Sequence, residues 1–141
     1  MMTINEEATK ATILEEVVPL LSQGYRFVTM TAVDCDDHFD IYYHFDKDYE
    51  LFTIRVQLEK PGEISSISTV CFPALIVENE IQDLFGIKFS DLVLDYRNHF
   101  LLSPDAPVKP FCHVPGVKVT AVEAPKAKPA AGEVQKEEAA K

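Results

Sequence analysis

Three acids crowd one short run of the chain. VENEIQDLFGIKF, Val77 to Phe89, places Glu78, Glu80 and Asp83 ahead of an apolar Leu84-Phe85-Gly86 ending. Clustered carboxylates serve general acid–base catalysis, bind hard cations, or solvate a helix face. A second acidic run, DCDDHFD (Asp34–Asp40), alternates acids as a calcium loop does. An EF-hand needs Gly at its sixth position and Glu at its twelfth, and counted from Asp34 these hold Phe39 and Phe45. A solvated hairpin tip is therefore the better reading, with a weak surface cation site as the other.

The four histidines, His38, His44, His99 and His113, show no H-x-x-x-H or H-E-x-x-H spacing. Cys112-His113 offers two adjacent ligands, too few for a zinc site. Cys35, Cys71 and Cys112 lie too far apart for a C-x-x-C pair and read as small buried hydrophobes. Cys112 sits in a Pro-rich stretch with no helix N-terminus behind it to activate a thiolate. The glycines are scattered and build no phosphate loop. No catalytic residue, cofactor or metal is expected in this chain.

The elements that position these residues follow from periodicity. Thr3 and Glu6 fit a capping box, and Ile13, Leu14, Val17, Val18 and Leu21 recur at helical spacing up to Gly24. This predicts an amphipathic helix over roughly 6–22, with Pro19 kinking or fraying its last turn. YRFVTMTAV, HFDIYYHF and FTIRVQL then alternate apolar and polar residues, as strands of an antiparallel meander do. Pro61-Gly62 ends the third strand. A second amphipathic helix is predicted over about 72–85, closed by Gly86 and followed by a short strand in IKFSDLVLDY. Pro104, Pro107, Pro110 and Pro115 suit an extended arm over 104–116. Residues 117–141 are Ala/Lys/Glu/Pro low complexity and are expected to be disordered alone. The fold class is α+β, with one domain over 1–103.

On a helical wheel Ala74, Val77, Ile81, Leu84 and Phe85 form the core stripe. The opposite side mixes Phe72, Leu75 and Ile76 with Asn79 and Asp83, flanked by Glu78, Glu80 and Gln82. Either another protein covers this face and supplies cations to its carboxylates, or the chain's own Pro-rich arm covers it. The wheel leaves both open.

Charge narrows the partners. The chain of 141 residues carries a net charge of −10, and residues 1–115 hold 8 Lys+Arg against 19 Asp+Glu. Such a body repels phosphate backbones, so nucleic acid is excluded as a partner. MMTINEEATK is acidic where a signal peptide is basic, and no apolar run is long enough to span a bilayer. The expected location is the cytoplasm, with any membrane association made through a partner.

E-x-E-x-x-D-L-F-G-I-x-F, Glu78 to Phe89, resembles the E-R-E-x-x-D-[ML]-F-G-[IV]-x-F signature of the thirty-kilodalton family of respiratory complex I. HFDIYYHF is similar to that family's F-E-[VI]-x-Y-H-[LF] strand, with Asp40 in the acidic place and Tyr43-His44 as the Tyr-His pair. ISSISTVCFPALIV is similar to its approach to the signature helix. Asn79 replaces the Arg of E-R-E, Ser65 an upstream Pro, and Ile76 the helix Trp. The downstream G-H-P-[DN]-L-R-R-[IL]-L is absent.

With these departures the chain most resembles the corresponding small subunit of energy-converting, membrane-bound nickel-iron hydrogenases. The resemblance implies a non-catalytic accessory subunit. It would brace the large (nickel-iron) and small (iron–sulfur) subunits on the cytoplasmic side, and those partners would hold the nickel-iron and iron–sulfur cofactors. The alternatives are an equivalent subunit of a complex I-like NADH/quinone or F420-type dehydrogenase, and a stand-alone binding module. The residues expected at the subunit contact are Glu78, Asn79, Glu80, Asp83, Phe85, Gly86 and Ile87. Phe85, Gly86 and Ile87 make the turn that launches the arm, and Glu78, Glu80 and Asp83 either fix the helix and its arm or meet basic residues of the large subunit. On that reading Asp83→Lys releases the chain from its complex while leaving the domain folded.

Overall fold

The computed structural model describes residues 3–107 and 109–110. The expectations for residues 111–141 lie outside them. Strands β2 (Arg26–Cys35), β3 (His38–Lys47) and β4 (Glu50–Glu59) form the predicted antiparallel meander. Asp48 and Tyr49 both take positive φ, the two-residue turn whose twist matches the flanking strands. The inward positions are the predicted ones: Phe39, Ile41, Tyr43 and Phe45 on β3 face Ile54, Val56 and Leu58 on β4 in one buried cluster. Helix α1 (Ile13–Ser22) adds Ile13, Val17 and Leu20 to that cluster.

The N-terminal helix is shorter than its sequence pattern suggests. Glu6–Ala8 forms a strand, β1, parallel to β4, so the sheet is mixed, in the order β1-β4-β3-β2. Asn5 explains why: its backbone N–H donates to the Thr53 carbonyl, while its side-chain oxygen accepts the Thr53 N–H. Two bonds to the sheet outweigh one weak cap in solvent. The predicted Thr3–Glu6 box gives way to a reciprocal pair six residues later, in which Thr9 N–H donates to Thr12 Oγ1 and Thr12 N–H to Thr9 Oγ1. Pro19 stays within α1, and Gly24 follows the helix at φ +87°.

Helix α2 spans Ala74–Phe85, starting two residues later than predicted because Pro73 occupies the N-cap position. Before and after it, β5 (Glu63–Ser65) and β6 (Lys88–Ser90) pair in parallel. The β6 strand matches the short strand predicted after Gly86. Its partner β5 carries no recognisable pattern in three residues. The β5–α2–β6 unit presents α2 to β2 on one side and to the irregular segment 91–102 on the other.

Candidate functional site

Segment 91–102 has no strand or helix to pair its backbone. A backbone laid over a helix without partners would cost roughly 1–3 kcal/mol per buried orphan group. The polar side chains of α2 supply what is missing. Asp83 Oδ2 accepts the Leu101 and Leu102 N–H groups at 2.6 and 3.3 Å. Asn79 accepts the Tyr96 N–H through Oδ1 and donates through Nδ2 to the Leu94 carbonyl, both at 3.0 Å. Gln82 donates to Asp95 and accepts the Phe89 N–H. Segment 91–102 is thus a strap, and α2 is its clasp.

Glu78 holds the other flank. Its Oε1 accepts the Ile67 N–H at 2.7 Å and its Oε2 the Ser66 hydroxyl at 2.6 Å, while Ser68 Oγ accepts the Val93 N–H. Burial pushes the Glu78 carboxyl above its ordinary range, against the opposing pull of these donors. The Tyr43 hydroxyl, fully buried and without a hydrogen-bond partner among the described residues, is pushed up by burial and by the nearby Glu78 charge.

The seven expected contact residues therefore divide. Glu78, Asn79 and Asp83 are 0, 1 and 2% exposed and engaged by their own chain. Of the two covers that the wheel leaves open for these side chains, the chain's own backbone takes this one, through segment 91–102 ahead of the Pro-rich arm. Ile87 is buried in the core, and Gly86, at φ +72°, caps α2 as predicted and donates its N–H to the Gln82 carbonyl. Glu80, with Val77, Leu84 and Phe85, borders a groove of about 310 Å³ between α2 and β2. The open surface at the start of α2 is apolar: Ile76 in its first turn is 48% exposed, and Phe72, in the turn just before the helix, is 64% exposed. Val70, two residues before Phe72, is exposed too, as are Val93 and Leu94, whose backbones are tied to Ser68 and to Asn79 of α2.

On the other face of the sheet Asp40 accepts Arg55 Nε and Nη2 at 3.1 and 2.9 Å and the Tyr42 hydroxyl at 3.2 Å. His44 bridges Thr31 and Thr53, and burial lowers its pKa, favouring the neutral ring. Cys71 is buried, as expected of a small hydrophobe, and its thiol is pushed up by burial. Cys35 is instead half-buried beside Asp40, and Cys35, His38 and Asp40 are the one trio of potential metal ligands among the described residues.

The family model of the respiratory-chain NADH dehydrogenase 30 Kd subunit matches residues 8–113. The chain belongs to that family. The 30 Kd-type fold recurs in an archaeal solved structure, the membrane-bound sulfane sulfur reductase, described as a respiratory membrane complex. The TM-score is 0.62 at 15% identity, over 70% of this 30 Kd-type chain and 64% of that one. No curated protein matches it. Within this 30 Kd-type chain Glu78, Asn79 and Asp83 act as internal clasps. Among the described residues no helix is long and apolar enough to cross a membrane.

Proposed function

We propose that this chain is a non-catalytic accessory subunit of a membrane-bound, energy-converting nickel-iron hydrogenase complex. It braces the large nickel-iron subunit and the iron–sulfur small subunit at the cytoplasmic face, and those partners carry the cofactors. Membership of a family of respiratory-complex subunits supports this reading. The observation that carries it is the apolar ridge of Phe72 and Ile76 with Val70, Val93 and Leu94 around it, left open where the neighbouring Glu78, Asn79 and Asp83 of α2 are engaged internally. An apolar patch at the centre with a polar rim is the composition of a protein contact. Glu80 and Phe85, at the adjoining groove, and Gly86 at the helix end are its proposed edge.

The archaeal fold match favours a second reading, a subunit of a sulfur-reducing respiratory complex. An affinity-tagged chain purified from its native membranes separates the possibilities. Hydrogen evolution and stoichiometric nickel support the hydrogenase. Reduction of sulfane sulfur supports the second reading, and NADH–quinone or F420-linked turnover supports the dehydrogenases. Phe72→Asp with Ile76→Asp leaves the isolated domain folded, because both side chains are exposed, and loses the partners. Retention of all partners by this variant contradicts the docking assignment.

A further inference from the structure

The hairpin joining β2 to β3 brings three different metal-binding side chains to one face. Cys35 and His38 are the cross-strand pair flanking the Asp36–Asp37 turn, and Asp40 follows two residues along β3. One ligand atom from each lies within 4.8 Å of the other two. His38 Nε2 is 3.6 Å from Asp40 Oδ1, and Cys35 Sγ is 3.9 Å from Asp40 Oδ2. Tetrahedral zinc, with bonds of about 2.0–2.3 Å, sets such donors roughly 3.3–3.7 Å apart. Small side-chain rotations close the set.

Two further features point to an ion. His38 Nδ1 lies 2.5 Å from Asp37 Oδ1, the carboxylate–histidine pairing that fixes the tautomer of a metal-bound imidazole and leaves Nε2 to the ion. With the proton on Nδ1, the Nε2 lone pair faces Asp40 Oδ1, and two electron-rich atoms need positive charge between them. Arg55 binds both Asp40 oxygens and the Tyr42 hydroxyl donates to Oδ2, which leaves a lone pair on Oδ1, the oxygen facing His38 Nε2. Metal binding would displace the Cys35 thiol proton, and the resulting thiolate with Asp40 would supply the negative charge that the ion requires. The His38 and Asp40 side chains are 21% and 9% exposed, shielded yet reachable.

We infer that Cys35, His38 and Asp40 form a site for a borderline divalent transition metal such as zinc, with the fourth position open to water or a neighbouring side chain. The site staples the end of the β2–β3 hairpin. A second proton on His38 is the competing way to fill the gap.

The test is cobalt(II) titration of the reduced, full-length chain near pH 7. One equivalent should raise a thiolate-to-cobalt charge-transfer band that zinc then abolishes. Cys35→Ser should eliminate the band, while Cys71→Ser and Cys112→Ser retain it. His38→Ala should weaken cobalt binding about tenfold or more, and Asp37→Asn should weaken it less. Absence of the band, or its survival in Cys35→Ser, overturns the site and leaves His38 bridged by protons alone.

Discussion

Glu78 sets a sign for pH dependence. Its carboxyl is raised above the ordinary 4.5, with burial the largest cause, so the folded chain holds a proton that the unfolded chain has released. The stability from this group is fully present below about 4.5 and is lost as pH rises through the raised value. Melting temperature followed from pH 4 upward should show that decline, and Glu78→Gln should flatten it. Asp83 makes a different prediction. Asp83→Asn keeps an acceptor for Leu101 and Leu102 and should cost little. Asp83→Lys leaves both amides unpaired and buries an ammonium among them, costing about 3 kcal/mol or more in urea unfolding. The variant that the subunit reading expects to leave the domain folded is thus the one that should loosen it, seen as fast hydrogen exchange at 101 and 102.

At the scale of elements, the close of α2 is a sharp requirement. Gly86 sits at φ +72° and the Lys109 side chain packs where a Cβ would stand, so Gly86→Ala should cost about 1–2 kcal/mol and release residues near 109. Both α2 and the meander are legible in the sequence because each repeats its period over at least seven residues. Strands β1 and β5 are not: Glu6–Ala8 also satisfies a helical pattern, and Glu63–Ser65 lacks the longer apolar-rich run after a helix stop that marks β6. The polar half of α2 is legible as a face needing cover, but not what covers it. The donors come from the backbone of 91–102, which no side-chain pattern advertises. The Cys35–His38–Asp40 trio reads in sequence as a bare hairpin tip because cross-strand proximity emerges only once the register is fixed.

For the whole molecule, the partition between internal clasp and open ridge decides how it assembles. If Glu78 and Asp83 met foreign lysines, strong salt would weaken the complex, since the Debye length falls to about 3 Å at 1 M. With those carboxylates sealed and Phe72 and Ile76 at the contact, the complex should withstand a wash in about 1 M salt, because apolar burial does not screen. The net charge of −10 then serves solubility and encounter rather than adhesion. Photo-cross-linking from a probe at position 76 in native membranes tests the central claim most directly. An adduct with another subunit of one membrane-bound oxidoreductase, lost when Phe72 becomes Asp, is the expected result. A probe that reacts only with water while the intact complex is present would contradict it.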